Sequence, residues 1–212
     1  MEEKAFNEQS LLHRILAYFN IVRQSQVLNN KICSEEPIRK ETQSLGWTPP
    51  QEGWVKINTD GSVFAEDKAA AGGLIRDPLG RCLEAFAINL GSCSITRAEL
   101  KAVEAGFSAA WRRGFRRVIL CLDSTTAINI IQNVQDTDHR HGILALEINR
   151  LLSLNWEVSI SHTYRECNFV ADFLAKKGHS LHFGTHFVDS NDPGLRYWLL
   201  YDGFVPRTFC YL

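Results

Sequence analysis

The chain has 212 residues, 45% of them hydrophobic and 22% charged, with a formal net charge of -1. That size suits one ordinary domain with appendages, and that balance excludes a disordered or fibrous chain. A near-neutral total neither demands nor excludes a nucleic-acid partner, because local patches decide that question.

No apolar run is long enough to span a bilayer. The opening MEEKAFNEQS is acidic and polar, unlike a secretory or transit peptide. The six cysteines form no CxxC pair and several sit in apolar runs, so they read as reduced core residues and zinc is not expected. The expectation is a soluble, intracellular monomer with no membrane partner, in nucleus or cytoplasm.

Residues 9–23 place Leu11, Leu12, Ile15, Leu16, Phe19 and Val22 at helical spacing, which predicts an amphipathic helix. Such a helix either packs on the main domain or binds a partner, and core-facing stripes are the commoner case. Residues 31–53 are polar and Pro-containing and read as a linker. Strands are then expected over 54–63, 69–77 and 81–90, the last two joined through the DPLG turn at 77–80. Gly72 and Gly73 signal a bulge or a close backbone approach. A helix is expected over 94–113 with Gly114 as its stop, then an apolar strand over 116–123. Ser124 opens a helix to 134, another covers 140–154, a strand covers 156–164, and a last helix covers 168–178. An opening meander followed by strand–helix–strand units implies a mixed five-stranded α/β sheet with helices on its faces.

Four carboxylates interrupt these apolar patterns. Asp60 falls inside the first strand. Glu99 heads a stripe of small residues, Ala102, Gly106 and Ala110, on the first helix. Asp123 closes a buried strand at the end where open α/β sheets bind ligands. Asp172 interrupts an apolar helix. Each has a structural alternative: Asp123 as a helix cap, Glu99 as a favourable helix-start charge, Asp172 as the partner of Lys176. Burying all four together without countercharge would be very costly; pairing with Arg or Lys, protonation or divalent cations would each relieve it, and the joint pattern points to a functional site. WRRGFRR gathers Arg112, Arg113, Arg116 and Arg117, either a phosphate contact or a solvated helix end. The segment NTDGS is similar to the loop of haloacid-dehalogenase phosphatases, but Asn58 stands where their nucleophilic aspartate is needed.

The segments INTDGSV, RAELKAV, LCLDS and HTYRECNFVADFLA resemble the type 1 ribonuclease H fold. The closer resemblance is to plant ribonuclease H-like domains derived from non-LTR retroelements, carried by GWTPPQEGWVKINTDGS and HTYRECNFVADFLAKKG. It implies a sheet in the order 3-2-1-4-5 and a domain over 47–178. An N-terminal helix and linker would fill 1–46, and a C-terminal extension over 179–212 would pack back on the domain. It also implies hydrolysis of the RNA strand of RNA–DNA hybrids with two Mg²⁺ ions, Mn²⁺ being a substitute. Asp60 would bridge the metals, Glu99 and Asp123 would bind the first, and Asp172 the second. His162 matches a histidine that aids proton transfer or product release. Arg165 and Asn168 fit the closing motif as substrate contacts. Backbone amides near Gly61, Ser62 and Gly72 are candidates for reading 2′-hydroxyls. The alternative within this fold is a non-catalytic module that binds nucleic acid or protein.

Overall fold

The computed structural model describes residues 44–64, 68–133, 142–204 and 207–208. The helix expected over 9–23 lies outside them. β1, Val55–Phe64, is buried along its first six residues, Val55 to Asp60, because it is central and helices cover both its faces. It pairs antiparallel with β2 (Lys68–Arg76) and parallel with β4 (Arg117–Leu122). β2 pairs antiparallel with β3 (Cys82–Ser92), and β4 pairs parallel with β5 (Glu157–His162). The DPLG turn closes as its residues demand: Gly80 adopts a φ of 76° and its amide donates to the Asp77 carbonyl at 2.9 Å.

The five expected strands lie in the expected order, and the sheet has one strand more. β6, Gly184–Phe187, adds to the free edge of β3, giving the order β5-β4-β1-β2-β3-β6. Four residues led by a glycine at φ 111° are too short and irregular for an alternation signal. Ser44–Leu45 also pairs antiparallel with Arg207–Thr208.

Three helices cover one face: α1 (Ile95–Arg112), α2 (Thr125–Gln132) and α3 (Gly142–Leu152). Ile57, Leu100, Val103, Phe107, Leu120 and Ile148 form the core there. α4 (Phe169–Gly178) and α5 (Pro193–Phe204) cover the other face over Leu74, Ala85, Val170, Leu174 and Leu195. Among the described residues no helix is long and apolar enough to cross a membrane.

Candidate metal centre and cleft

Alternation along β1 turns Ile57, Thr59 and Gly61 toward α1, and Asn58, Asp60 and Ser62 toward α4. Two glycines set how closely the helices approach. A Cβ on Gly61 would lie 2.7 Å from the Glu99 amide nitrogen. Only a residue without a side chain lets α1 bring Glu99 down onto the strand that carries Asp60. Gly72, paired with Asp60 across the ladder, lies directly under the Ala175 backbone of α4. Of the two readings of the Gly72–Gly73 pair, the close approach holds, with α4 as the partner of Gly72 and Phe86 and the Asn58 carbonyl as those of Gly73. The β2–β3 register shifts lie elsewhere, at Ala69/Ala70 and Ile75/Arg76.

The carboxylates of Asp60, Glu99 and Asp123 converge, with ligand atoms all within 4.8 Å of one another. Asp172 stands in the wall of the same cleft, a space of about 500 Å³ that Asp60, Asp123, Arg165, Asn168, Phe169 and Lys176 also line. Two structural alternatives fall. Ser124, not Asp123, caps α2 by accepting from the Ala127 amide. Ser94 caps α1, which leaves Glu99 beyond the first turn. The third holds alongside the cleft placement: Lys176 Nζ donates to Asp172 Oδ2 at 2.7 Å.

Burial, and then the neighbouring Asp123 and Asp172, pushes the Asp60 carboxyl up to about 7. Burial, then Asp60 and Asp123, pushes Glu99 up to about 9. The Gly61 amide offsets both rises in part. Glu99 Oε2 is buried and has no hydrogen-bond partner. A cluster of hard oxygen donors with one buried oxygen unsatisfied fits a divalent cation such as Mg²⁺ or Mn²⁺. On the open side, Arg165 Nε donates to Asp123 Oδ2 at 3.1 Å while its side chain stays 89% exposed.

The remaining candidates are placed less directly. His162 is exposed at the end of β5, edge-on to Tyr164, and does not line the cleft. Asn168 is buried and does not cap α4 with its side chain. Its carboxamide bonds to Asn58 and to the Thr59 carbonyl instead. Ser62 lines the cleft and its Oγ lies 3.0 Å from His179 Nε2. Nothing in the sequence marks His179, which follows the Gly178 stop signal.

The arginine cluster has local partners. Arg112 and Arg113 both pair with Glu84, Arg116 stacks on Trp111, and Arg117 faces Glu157. The solvated-end reading describes it. A larger groove of about 610 Å³ lies there, but its carboxylate, Glu84, is already paired, so size does not select the site. Asn58, 1% exposed and held through both ends of its amide, also removes the phosphatase reading.

The model of the reverse transcriptase-like family matches residues 58–178. A candidate ribonuclease H protein of Arabidopsis thaliana is 38% identical over 146 residues, 68% of this chain and 24% of that protein. The chain thus spans about a quarter of that relative's length. Ribonuclease H1 of the halophilic archaeon Halobacterium salinarum NRC-1 superposes with a TM-score of 0.55 at 25% identity, over 60% of this chain and 98% of its own. LC11-ribonuclease H1, solved in complex with an RNA/DNA hybrid, superposes with a TM-score of 0.54 at 20% identity, over 59% and 96%. At that identity it speaks for the fold alone. The fold is that of ribonuclease H, and the plant relative agrees with the retroelement-derived group that the sequence resembles.

Proposed function

The chain belongs to the reverse transcriptase-like family, and from that premise we propose that it is a divalent-metal-dependent endonuclease acting on the RNA strand of RNA–DNA hybrids. The observation that carries this reading is the convergence of Asp60, Glu99 and Asp123 beside Asp172 in one cleft. Two bound ions, Mg²⁺ or Mn²⁺, would supply an activated water and stabilise the leaving oxygen. Asp60, Glu99, Asp123 and Asp172 would hold them, and a cation is what allows Asp60 and Glu99 to stay ionised at neutral pH. Arg165 and Lys176, each holding a carboxylate at the cleft wall, are donors for which a phosphate oxygen competes. Gly61 and Ser62 line the cleft, and their backbone would read a sugar edge of the hybrid. Exposed His162, on the strand beside Asp123's, would carry protons between solvent and the cleft.

The test is an end-labelled hybrid resolved on a denaturing gel, with single-stranded RNA, duplex DNA and EDTA as controls. The expected result is metal-dependent cutting of the RNA strand that is lost in Asp60→Asn. Equal cutting by that variant would remove the site. A second reading, a non-catalytic module, is favoured by one observation: Arg165 and Lys176 already neutralise Asp123 and Asp172. Folded wild type that binds hybrid and leaves it intact across metals would establish that reading.

A further inference from the structure

The family match ends at 178, yet the residues beneath the cleft are held from outside it. Arg76, at the end of β2, is 1% exposed. Its Nη1 donates to Asp202 Oδ2 of α5 at 2.9 Å, with both side chains 2% exposed. Its Nη2 donates to Asn58 Oδ1 at 3.0 Å. The Trp47 ring lies 3.7 Å from the guanidinium carbon, and Trp47 Nε1 donates to the same Asn58 oxygen at 3.0 Å.

Two donors on one side fix the Asn58 carboxamide, so its Nδ2 must point the other way. There it donates to Asn168 Oδ1 at 3.1 Å. Asn168 Nδ2 in turn donates to the Thr59 carbonyl at 3.0 Å. That carbonyl belongs to the peptide joining Thr59 to Asp60, and Asn168 sits one turn before Asp172, whose amide bonds back to it at 3.1 Å. The two ends of the relay therefore fix the backbone of Asp60 and the first turn of the helix that bears Asp172.

We propose that Arg76, clasped between Trp47 and Asp202, is the positioning centre of the acidic cleft, so that the working unit runs from Trp47 to Asp202 and not from 58 to 178. The proposal rests on the catalytic reading above. A buried ion pair is seldom more stabilising than apolar residues of the same volume, so stability alone does not account for this one. Orientation does: apolar side chains could fill the space but could not set the Asn58 amide, and groups that orient ligand-bearing elements are felt in metal affinity.

The experiment uses the full chain. Asp202→Asn keeps the shape and removes the charge. Trp47→Phe keeps a ring over Arg76 and removes the bond to Asn58. Three readouts are compared with wild type: the side-chain amide NMR signals of Asn58 and Asn168, Mn²⁺ affinity by calorimetry, and kcat and KM on hybrid. The expected result is displaced carboxamide signals, with Mn²⁺ affinity and kcat each lowered roughly 10- to 100-fold and KM nearly unchanged. Asp202→Glu should recover part of each loss. Folded variants with wild-type carboxamide signals and Mn²⁺ affinity would overturn the proposal. If Asp202→Asn does not fold, Trp47→Phe decides alone. If wild type neither binds Mn²⁺ nor cuts hybrid, the catalytic reading has failed separately, and the carboxamide signals still decide the relay: moved signals keep it, unmoved signals end it.

Discussion

Two residues apart on β1, the fold buries charge in two opposite ways. Beside Asn58, each charge has a partner: Arg76 meets Asp202, and Trp47 and two carboxamides complete the set. Around Asp60, three carboxylates crowd together, and Arg165 reaches only the outermost of them, Asp123. Burial of unpaired charge is expensive, and the cleft lessens that cost by holding protons, the clasp by holding a counter-ion. The clasp matches its charge with a counter-ion, although Arg76 Nε has no hydrogen-bond partner, whereas the cleft gathers like charges with no buried cation among them. A satisfied buried charge is a rigid reference point; an unsatisfied one is a site of exchange.

The comparison breaks most severely at Asp202. Asp202→Ala leaves Arg76 buried without its carboxylate, and urea melts should show a loss of about 3–5 kcal/mol. A loss under 1 kcal/mol would mean that water or another group replaces the carboxylate, and the clasp is not what it looks like. Asp60→Asn should behave in reverse. It relieves repulsion, so the metal-free fold should be no less stable, while hybrid cleavage should fall by roughly 10²–10³ or more. Divalent metal should stabilise wild type by about 2.7 kcal/mol at a hundredfold excess over its dissociation constant. Asp60→Asn should respond less, and a wild-type melting temperature indifferent to Mg²⁺ and Mn²⁺ would count against the metal site.

The pH response separates the two regions again. In the folded, metal-free protein Asp60 keeps its proton up to about 7 and Glu99 up to about 9. Unfolded carboxyls release theirs above roughly pH 4. Between those limits the native state binds more protons, so stability should fall as pH rises from 5 to 9 in EDTA. Saturating Mg²⁺ should flatten that slope, because the cation takes the place of the protons. A melting temperature that climbs with pH in EDTA would contradict the arrangement. The smallest effect should come from Arg165→Ala. The Arg165 side chain is 89% exposed although that of Asp123 is only 10% exposed, so solvent screens the pair from one side and its loss should change stability by no more than about 1 kcal/mol.

What could be read from sequence follows from how far each signal reaches along the chain. Strand alternation, helix caps and the Gly114 stop are local, and they place five of the strands and the helices that bear the acidic residues; Gly178 instead ends its helix from within, packed against the Ile88 carbonyl. Asp60, Glu99 and Asp123 stood out because each broke an apolar pattern of known period. The clasp left no such mark. Arg76 ends a strand just before a turn, where a charge looks solvated, and its partner lies 126 positions away in an aromatic helix. β6 was too short to show a period. Asn168 carried a local signal, helix capping, that tertiary structure overrode in favour of the Thr59 carbonyl.

β6 has a further consequence, for handling the protein. β3 runs for eleven residues, and β6 covers only Phe86, Ala87 and Ile88 of its outer edge. Without β6, that stretch of backbone donors and acceptors, flanked by apolar side chains, is a template for strand addition by a second molecule. A fragment cut at 178, where the family match ends, would carry that open edge into solution and tend to self-associate, even if every residue of the cleft were intact.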